Sequence, residues 1–135
     1  MIIKSEQEML KFGEDFAKTL KSPTVIELIG DVGAGKTTFT RGLAKGLNVK
    51  DQITSPSFTI SKSYALPTGG RLIHYDFYRL PDPGLMLEDL NENLNDTQNI
   101  IIIEWGESIE DILPKNRTKL EIKYTNDNYR EVIVL

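Results

Sequence analysis

Residues 30–38 read Gly-Asp-Val-Gly-Ala-Gly-Lys-Thr-Thr, and no other stretch narrows the fold so far. The glycines let the backbone turn with its amide N–H groups pointing inward, where a Cβ would clash. The pattern G-x-x-x-x-G-K-[ST] is that of a phosphate loop (P-loop). Its amides, at Asp31, Gly33, Ala34, Gly35, Lys36, Thr37 and Thr38, and the N-terminus of the following helix would cradle polyphosphate oxygens. Lys36 would reach the β- and γ-phosphates, and the Thr37 hydroxyl would ligate Mg2+. The motif demands a strand before it and a helix after it. Val25-Ile26-Glu27-Leu28-Ile29 is an apolar run, and residues 38–47 are amphipathic, with Phe39, Leu43 and Leu47 in one stripe. A Gly-rich turn with no ligand is the bland alternative, and both flanks weigh against it. Gly42 and Gly46 weaken that helix intrinsically, and they predict close packing on the sheet.

A chain of 135 residues is expected to form a single domain over 1–135. Its net charge of −4 gives no basic face for DNA and no polybasic membrane patch. No apolar run approaches the roughly 18 residues of a membrane span, and the N-terminus lacks a signal-peptide core. The absence of cysteine excludes disulfides, thiolate catalysis and zinc–thiolate sites, and fits a reducing cytoplasm. With His74 as the sole histidine, a multi-histidine metal site is excluded too.

In chain order, residues 1–3 suggest a short strand. Ser5 with Glu8 makes a capping box ahead of an amphipathic helix over 6–20. After the phosphate loop and its helix comes Thr54-Ser55-Pro56-Ser57-Phe58, an extended loop rich in hydroxyls because Pro56 disfavours helix at Ser55. Even-position apolar residues from Phe58 to Leu66, a Pro67–Gly70 turn and a strand over 71–79 predict a β-hairpin. In its second strand His74, Asp76 and Tyr78 share a face. A short acidic helix is expected over 85–94, and a buried strand over 100–103 ending in Glu104. A short helix is expected over 105–113 and a terminal hairpin around Asn126-Asp127-Asn128. The order predicts a three-layer α/β P-loop NTPase fold with a mixed, mostly parallel central sheet plus antiparallel hairpins.

A phosphate cradle alone hydrolyses nothing. Mg2+ needs hard oxygen ligands, and an attacking water needs orienting. Glu104 stands at the carboxyl end of a buried strand, where open α/β sheets bind ligands. Asp76, beside His74 and Tyr78, fits equally a catalytic carboxylate or a hydrogen-bonded structural cluster. Thr54, Ser55 and Ser57 fit either a γ-phosphate-sensing switch or a hydroxyl-bearing turn, the turn being the plainer reading. Trp105 reads first as packing between strand and helix, and second as a stacking surface for a base or a partner. His74 reads as a hydrogen-bonded structural residue. No N-K-x-D or D-x-x-G motif for guanine nucleotides occurs.

Four blocks occur in order: the phosphate loop through Thr38-Phe39-Thr40-Arg41-Gly42, the Thr54–Phe58 block, His74-Tyr75-Asp76-Phe77-Tyr78-Arg79-Leu80, and Glu104-Trp105-Gly106-Glu107. Together they resemble the bacterial TsaE family (formerly YjeE) of small ATPases needed for threonylcarbamoyladenosine formation in tRNA. The likeness runs over nearly the whole chain. The resemblance implies a P-loop domain with slow ATP hydrolysis that depends on Mg2+ and on partners. Those partners would be TsaD and TsaB, whose complex modifies adenosine 37 of tRNAs reading codons that begin with A. ATP hydrolysis would reset that complex, and tRNA would be met only through it. By position, the resemblance makes Lys36 a phosphate ligand, Thr37 a Mg2+ ligand, Glu104 a metal-linked acid, Asp76 an essential Asp and Trp105 a Trp near the site. It puts Glu6 and Arg130 near the base end of the nucleotide.

Two other functions compete. A small nucleotide or nucleoside kinase would need an acceptor pocket and an arginine-rich lid, yet Arg41, Arg71, Arg79, Arg117 and Arg130 form no cluster in sequence. A nucleotide-binding interaction module would need Lys36 but neither Asp76 nor Glu104.

Overall fold

The computed structural model describes residues 1–53, 61–78 and 84–135. Seven strands form one sheet: β1 (Ile2–Ile3), β2 (Thr24–Ile29), β3 (Ser61–Ala65), β4 (Arg71–Asp76), β5 (Ile100–Glu104), β6 (Thr118–Tyr124) and β7 (Arg130–Val134). Their order across the sheet is β1-β7-β6-β2-β5-β4-β3. β6, β2, β5 and β4 run parallel, whereas β3, β7 and β1 are added antiparallel to their neighbours. The expected mixed α/β sheet with hairpins at its sides is therefore present.

Helices α1 (Glu6–Ala17) and α2 (Lys36–Gly46) cover one face. The α1 start follows its capping box: Ser5 Oγ accepts from the Glu8 N–H, and the Glu8 carboxylate accepts from the Lys4 N–H. Met9, Ala17, Phe39 and Leu43 bury against Ile26, Leu28, Leu72, Ile100, Ile102 and Leu120 of the sheet. The rings of Phe12, Phe16 and Phe39 meet at 5.7–5.9 Å between centroids. On the opposite face α3 (Gly84–Leu94) and a 3-10 segment, Gly106–Ile112, pack through Leu90, Ile109 and Leu113 onto Ile73, Tyr75, Ile101 and Ile103. Odd and even residues of β4 and β5 thus face different layers, as strand period requires.

Several boundaries differ from the sequence reading. α1 ends at Ala17 rather than Leu20, and β4 ends at Asp76 rather than Arg79. The expected helix over 105–113 is a kinked 3-10 turn that excludes Trp105. The glycines of α2 pack on α1, not on the sheet. A Cβ on Gly42 would lie 2.2 Å from the Leu10 carbonyl oxygen, and one on Gly46 would lie 2.5 Å from that of Glu14. Gly13 returns the contact against the Phe39 carbonyl at 2.4 Å. Small residues on both helices let the backbones touch, which brings the α2 N-terminus in beside α1. No helix among the described residues is long and apolar enough to cross a membrane.

Candidate functional site

The glycine-rich loop leaves β2 at Gly30 and enters α2 at Lys36. Gly33 and Gly35 adopt φ of +81° and +113°, conformations that side chains rarely tolerate. A Cβ on Gly30 would meet the Ile122 carbonyl of β6 at 2.6 Å, so the loop lies tight against that strand. Gly35 caps α2 without a side-chain hydrogen bond, and the first turn holds no acidic residue. Its amides and the positive end of the helix dipole are therefore presented to an anion. Thr37 and Thr38 lie half-buried in this first turn, while Asp31 is exposed.

Lys36 folds back over the loop. Its Nζ donates to the Gly30 carbonyl at 2.6 Å, lies 3.5 Å from Glu104 Oε1, and sits 4.3 Å from the centre of the Trp105 ring. Glu104 comes from the end of β5 and is only 4% exposed. Burial alone would push its carboxyl up. The hydrogen bond from His74, with His74 and Lys36 nearby, outweighs that and holds it below the ordinary carboxylate range.

The β4–β5 register sets Asp76 directly opposite Glu104, both on the α2 side of the sheet. Asp76 is less buried, and its Oδ1 accepts the Tyr78 N–H at 2.9 Å. Burial, and then the charge of Glu104, push its carboxyl above the ordinary range despite the pull of that N–H, His74 and Lys36. His74 is fully buried, and its Nε2 bonds Glu104 Oε2. The register places Asp76 beside Glu104, and its bond to the Tyr78 N–H leaves both readings of Asp76, catalytic carboxylate and hydrogen-bonded cluster, open. His74 is hydrogen-bonded, as expected, through Nε2.

Trp105 follows Glu104 in a left-handed conformation at φ 57°, a costly backbone for a bulky residue. Its ring lies between Lys36 and Tyr78, the latter 4.7 Å away between centroids. Gly106 permits this turn, because a Cβ there would be only 3.0 Å from Ile103 Cγ2 and 3.2 Å from Glu27 Oε2. Glu27 is buried on the other face of β2, where Arg117 Nε donates to it at 2.8 Å.

Glu6 and Arg130 both line a recess of about 330 Å³ that also meets Gly33, Gly35 and Thr38. Arg130 Nε donates to the Ala34 carbonyl at 3.0 Å. Its guanidinium stacks 4.0 Å from the centre of the Tyr124 ring, whose hydroxyl donates to the Gly33 carbonyl at 2.6 Å. The terminal hairpin therefore clamps the outer carbonyls of the loop. Sequence reasoning missed Tyr124, although it pairs directly with Arg130 across the predicted hairpin. It also missed the use of Arg117, for which a lone Glu in the apolar run of β2 was the available signal. Thr54, Ser55 and Ser57, like Arg79, lie outside the described residues.

The chain matches the family model "Threonylcarbamoyl adenosine biosynthesis protein TsaE" over residues 3–132. It is 38% identical over 131 residues to the tRNA threonylcarbamoyladenosine biosynthesis protein TsaE of Streptomyces coelicolor, covering 93% of this chain and 88% of that protein. The protein of the same name from Haemophilus influenzae is 37% identical, with coverage of 93% and 82%. The crystal structure of Bacillus subtilis YdiB superposes with a TM-score of 0.79 at 35% identity, covering 99% of this chain and 82% of that one. With a family match over nearly its whole length and a fold shared with a solved relative, the chain belongs to the TsaE family of threonylcarbamoyladenosine biosynthesis proteins.

Proposed function

We propose that the chain is a P-loop ATPase, working as one domain over 1–135, that serves threonylcarbamoyladenosine formation in tRNA by acting on the TsaD–TsaB complex. The observation that carries this is the convergence at the loop mouth: Lys36 Nζ lies 3.5 Å from the buried Glu104, with Asp76 opposite in the sheet register. The donor set fits Mg2+-ATP. Glycines at φ of +81° and +113° shape the loop, where a Cβ would press on the Tyr124 hydroxyl at 3.0 Å or on Met9 Cε at 3.2 Å. Thr37 and Glu104 offer the hard oxygens Mg2+ prefers.

Lys36 binds the β/γ-phosphates after leaving the Gly30 carbonyl. Thr37 and Glu104 would hold Mg2+, which supplies charge neutralisation on the transferring phosphoryl group. Glu104 Oε2 is held by His74, and Oε1, 3.5 Å from Lys36 Nζ, is left for the metal, so the more open Asp76 is assigned to orienting the attacking water. Glu6 and Arg130 flank the recess suited to the base end. Trp105 and the Thr54, Ser55 and Ser57 hydroxyls are assigned to sensing the γ-phosphate and meeting the partner. The acidic net charge leaves tRNA to be met through the partner proteins.

Trp105 is the sole tryptophan and touches Lys36, so its fluorescence reports on the site. ATP added with Mg2+ should change its emission saturably in the wild type. Lys36→Ala should weaken ATP binding by about 100-fold or more, as loss of a phosphate-directed donor does. Equal ATP affinity in the two proteins, by calorimetry, would defeat the assignment.

A further inference from the structure

His74 is an odd side chain to find where it is. It has 0% exposure on β4, the strand next to the sheet edge, and shares its face with Leu72. One ring nitrogen, Nε2, meets Glu104 Oε2, while Nδ1 is buried with no hydrogen-bond partner among the described residues. A histidine kept only to knit the core would be expected to satisfy both nitrogens. Here one is left unsatisfied and the other is spent wholly on Glu104. Nε2 faces a carboxylate oxygen, which accepts hydrogen bonds, so Nε2–H is the donor of this bond.

The consequence shows in the neighbouring contact. Lys36 Nζ stays 3.5 Å from Glu104 Oε1 and makes its short bond, 2.6 Å, to the Gly30 carbonyl instead. A relaxed ammonium–carboxylate pair closes to about 2.7–2.9 Å. With Oε2 tied to His74, the carboxylate cannot swing onto Lys36.

We propose that His74 is a positioning residue for the metal-linked acid: its Nε2–H pins Glu104 Oε2, keeping Oε1 from a closed ion pair with Lys36 and available as a ligand oxygen. Hydrogen-bonded partners behind metal-binding groups commonly set metal affinity by 10- to 100-fold. This inference rests on the assignment of Glu104 to Mg2+ made above.

The test uses the whole chain and a fluorescent ATP analogue, with affinity read by polarisation in EDTA and across a Mg2+ titration. The variants are His74→Leu, His74→Asn and His74→Gln, each checked for folding by thermal melting. The amide nitrogen of Gln reaches toward the Nε2 position, whereas that of Asn stops near Nδ1. Asn therefore carries a similar buried polar load without the bond. His74→Leu and His74→Asn should leave binding in EDTA within about twofold of wild type and raise the Mg2+ concentration for half-maximal effect about 10-fold or more. His74→Gln should restore most of the Mg2+ response. A wild-type Mg2+ response in the Leu or Asn variant would overturn the proposal, as would identical behaviour of Gln and Asn. Absence of any Mg2+ effect in the wild type would instead remove the nucleotide–metal reading itself, and this inference with it.

Discussion

Arg117 is the perturbation whose cost can be worked most directly from the structure. Its side chain is 4% exposed and donates three ways: Nε to Glu27 Oε1 at 2.8 Å, NH1 to the Pro114 carbonyl at 2.9 Å and NH2 to Glu110 Oε1 at 2.7 Å. Glu110 lies at the surface, so that arm adds little. Glu27 is 6% exposed at its side chain, and Arg117→Met would leave its charge buried without a partner. Breaking a buried pair in this way costs about 3–5 kcal/mol. For a chain of 135 residues, that corresponds to a fall in Tm of roughly 10–18 °C. The penalty comes from the stranded carboxylate more than from the lost bond. The double variant Arg117→Met/Glu27→Met, which buries two apolar chains instead, should therefore recover most of the loss. Urea unfolding of the wild type, the single variant and the double variant measures this. A double variant no more stable than Arg117→Met would refute the reasoning. Because Glu27 Oε2 also packs against Gly106, the single variant should shift Trp105 emission as well.

Two further outcomes are expected. Gly42→Ala should destabilise despite the roughly 1 kcal/mol gained in helix propensity. The new methyl would stand 2.2 Å from the Leu10 carbonyl, and forcing two backbones apart costs about 1–3 kcal/mol or more, which a urea midpoint would register as a net loss. Asp76→Asn should raise stability at pH 7. Burial pushes the Asp76 carboxyl up, so the folded chain holds that proton more tightly than the unfolded chain does. The stability tied to this group is then greatest at low pH and falls as pH rises from the ordinary value through the raised one. The advantage of Asn over Asp in thermal melts should shrink as pH is lowered toward about 4. An advantage that grows on acidification would have the wrong sign.

What could be read from the sequence was local. The apolar run 25–29, the glycines at 30, 33 and 35 and the Phe39–Leu43–Leu47 stripe each act over a few residues, so strand, loop and helix were legible in place. The isoleucine run before Glu104 and the alternation around residues 126–128 were legible for the same reason. The sheet order was not, because β2 takes its neighbours from β5 and β6, far along the chain. Without that order, Lys36, His74, Asp76 and Glu104 are four candidates rather than one cluster. Gly42 and Gly46 were seen but given the wrong partner. Their spacing marks a close-packed helix face, and only Gly13 on α1 identifies which surface it meets. Trp105 hid its left-handed backbone for a similar reason. The turn is permitted by Gly106 packing against Ile103, Glu27 and Leu113, and Glu27 lies far from it in the chain.

The most direct measurement is Mg2+-dependent ATP hydrolysis by the chain alone and with the TsaD and TsaB proteins of the same organism, comparing wild type with Glu104→Gln. Slow turnover alone that rises in the complex, and falls by about 100-fold or more in Glu104→Gln, is the expected result. Hydrolysis absent in every mixture, or unchanged by Glu104→Gln, would contradict a phosphate loop completed by Lys36, Asp76 and Glu104 as the working site of this protein.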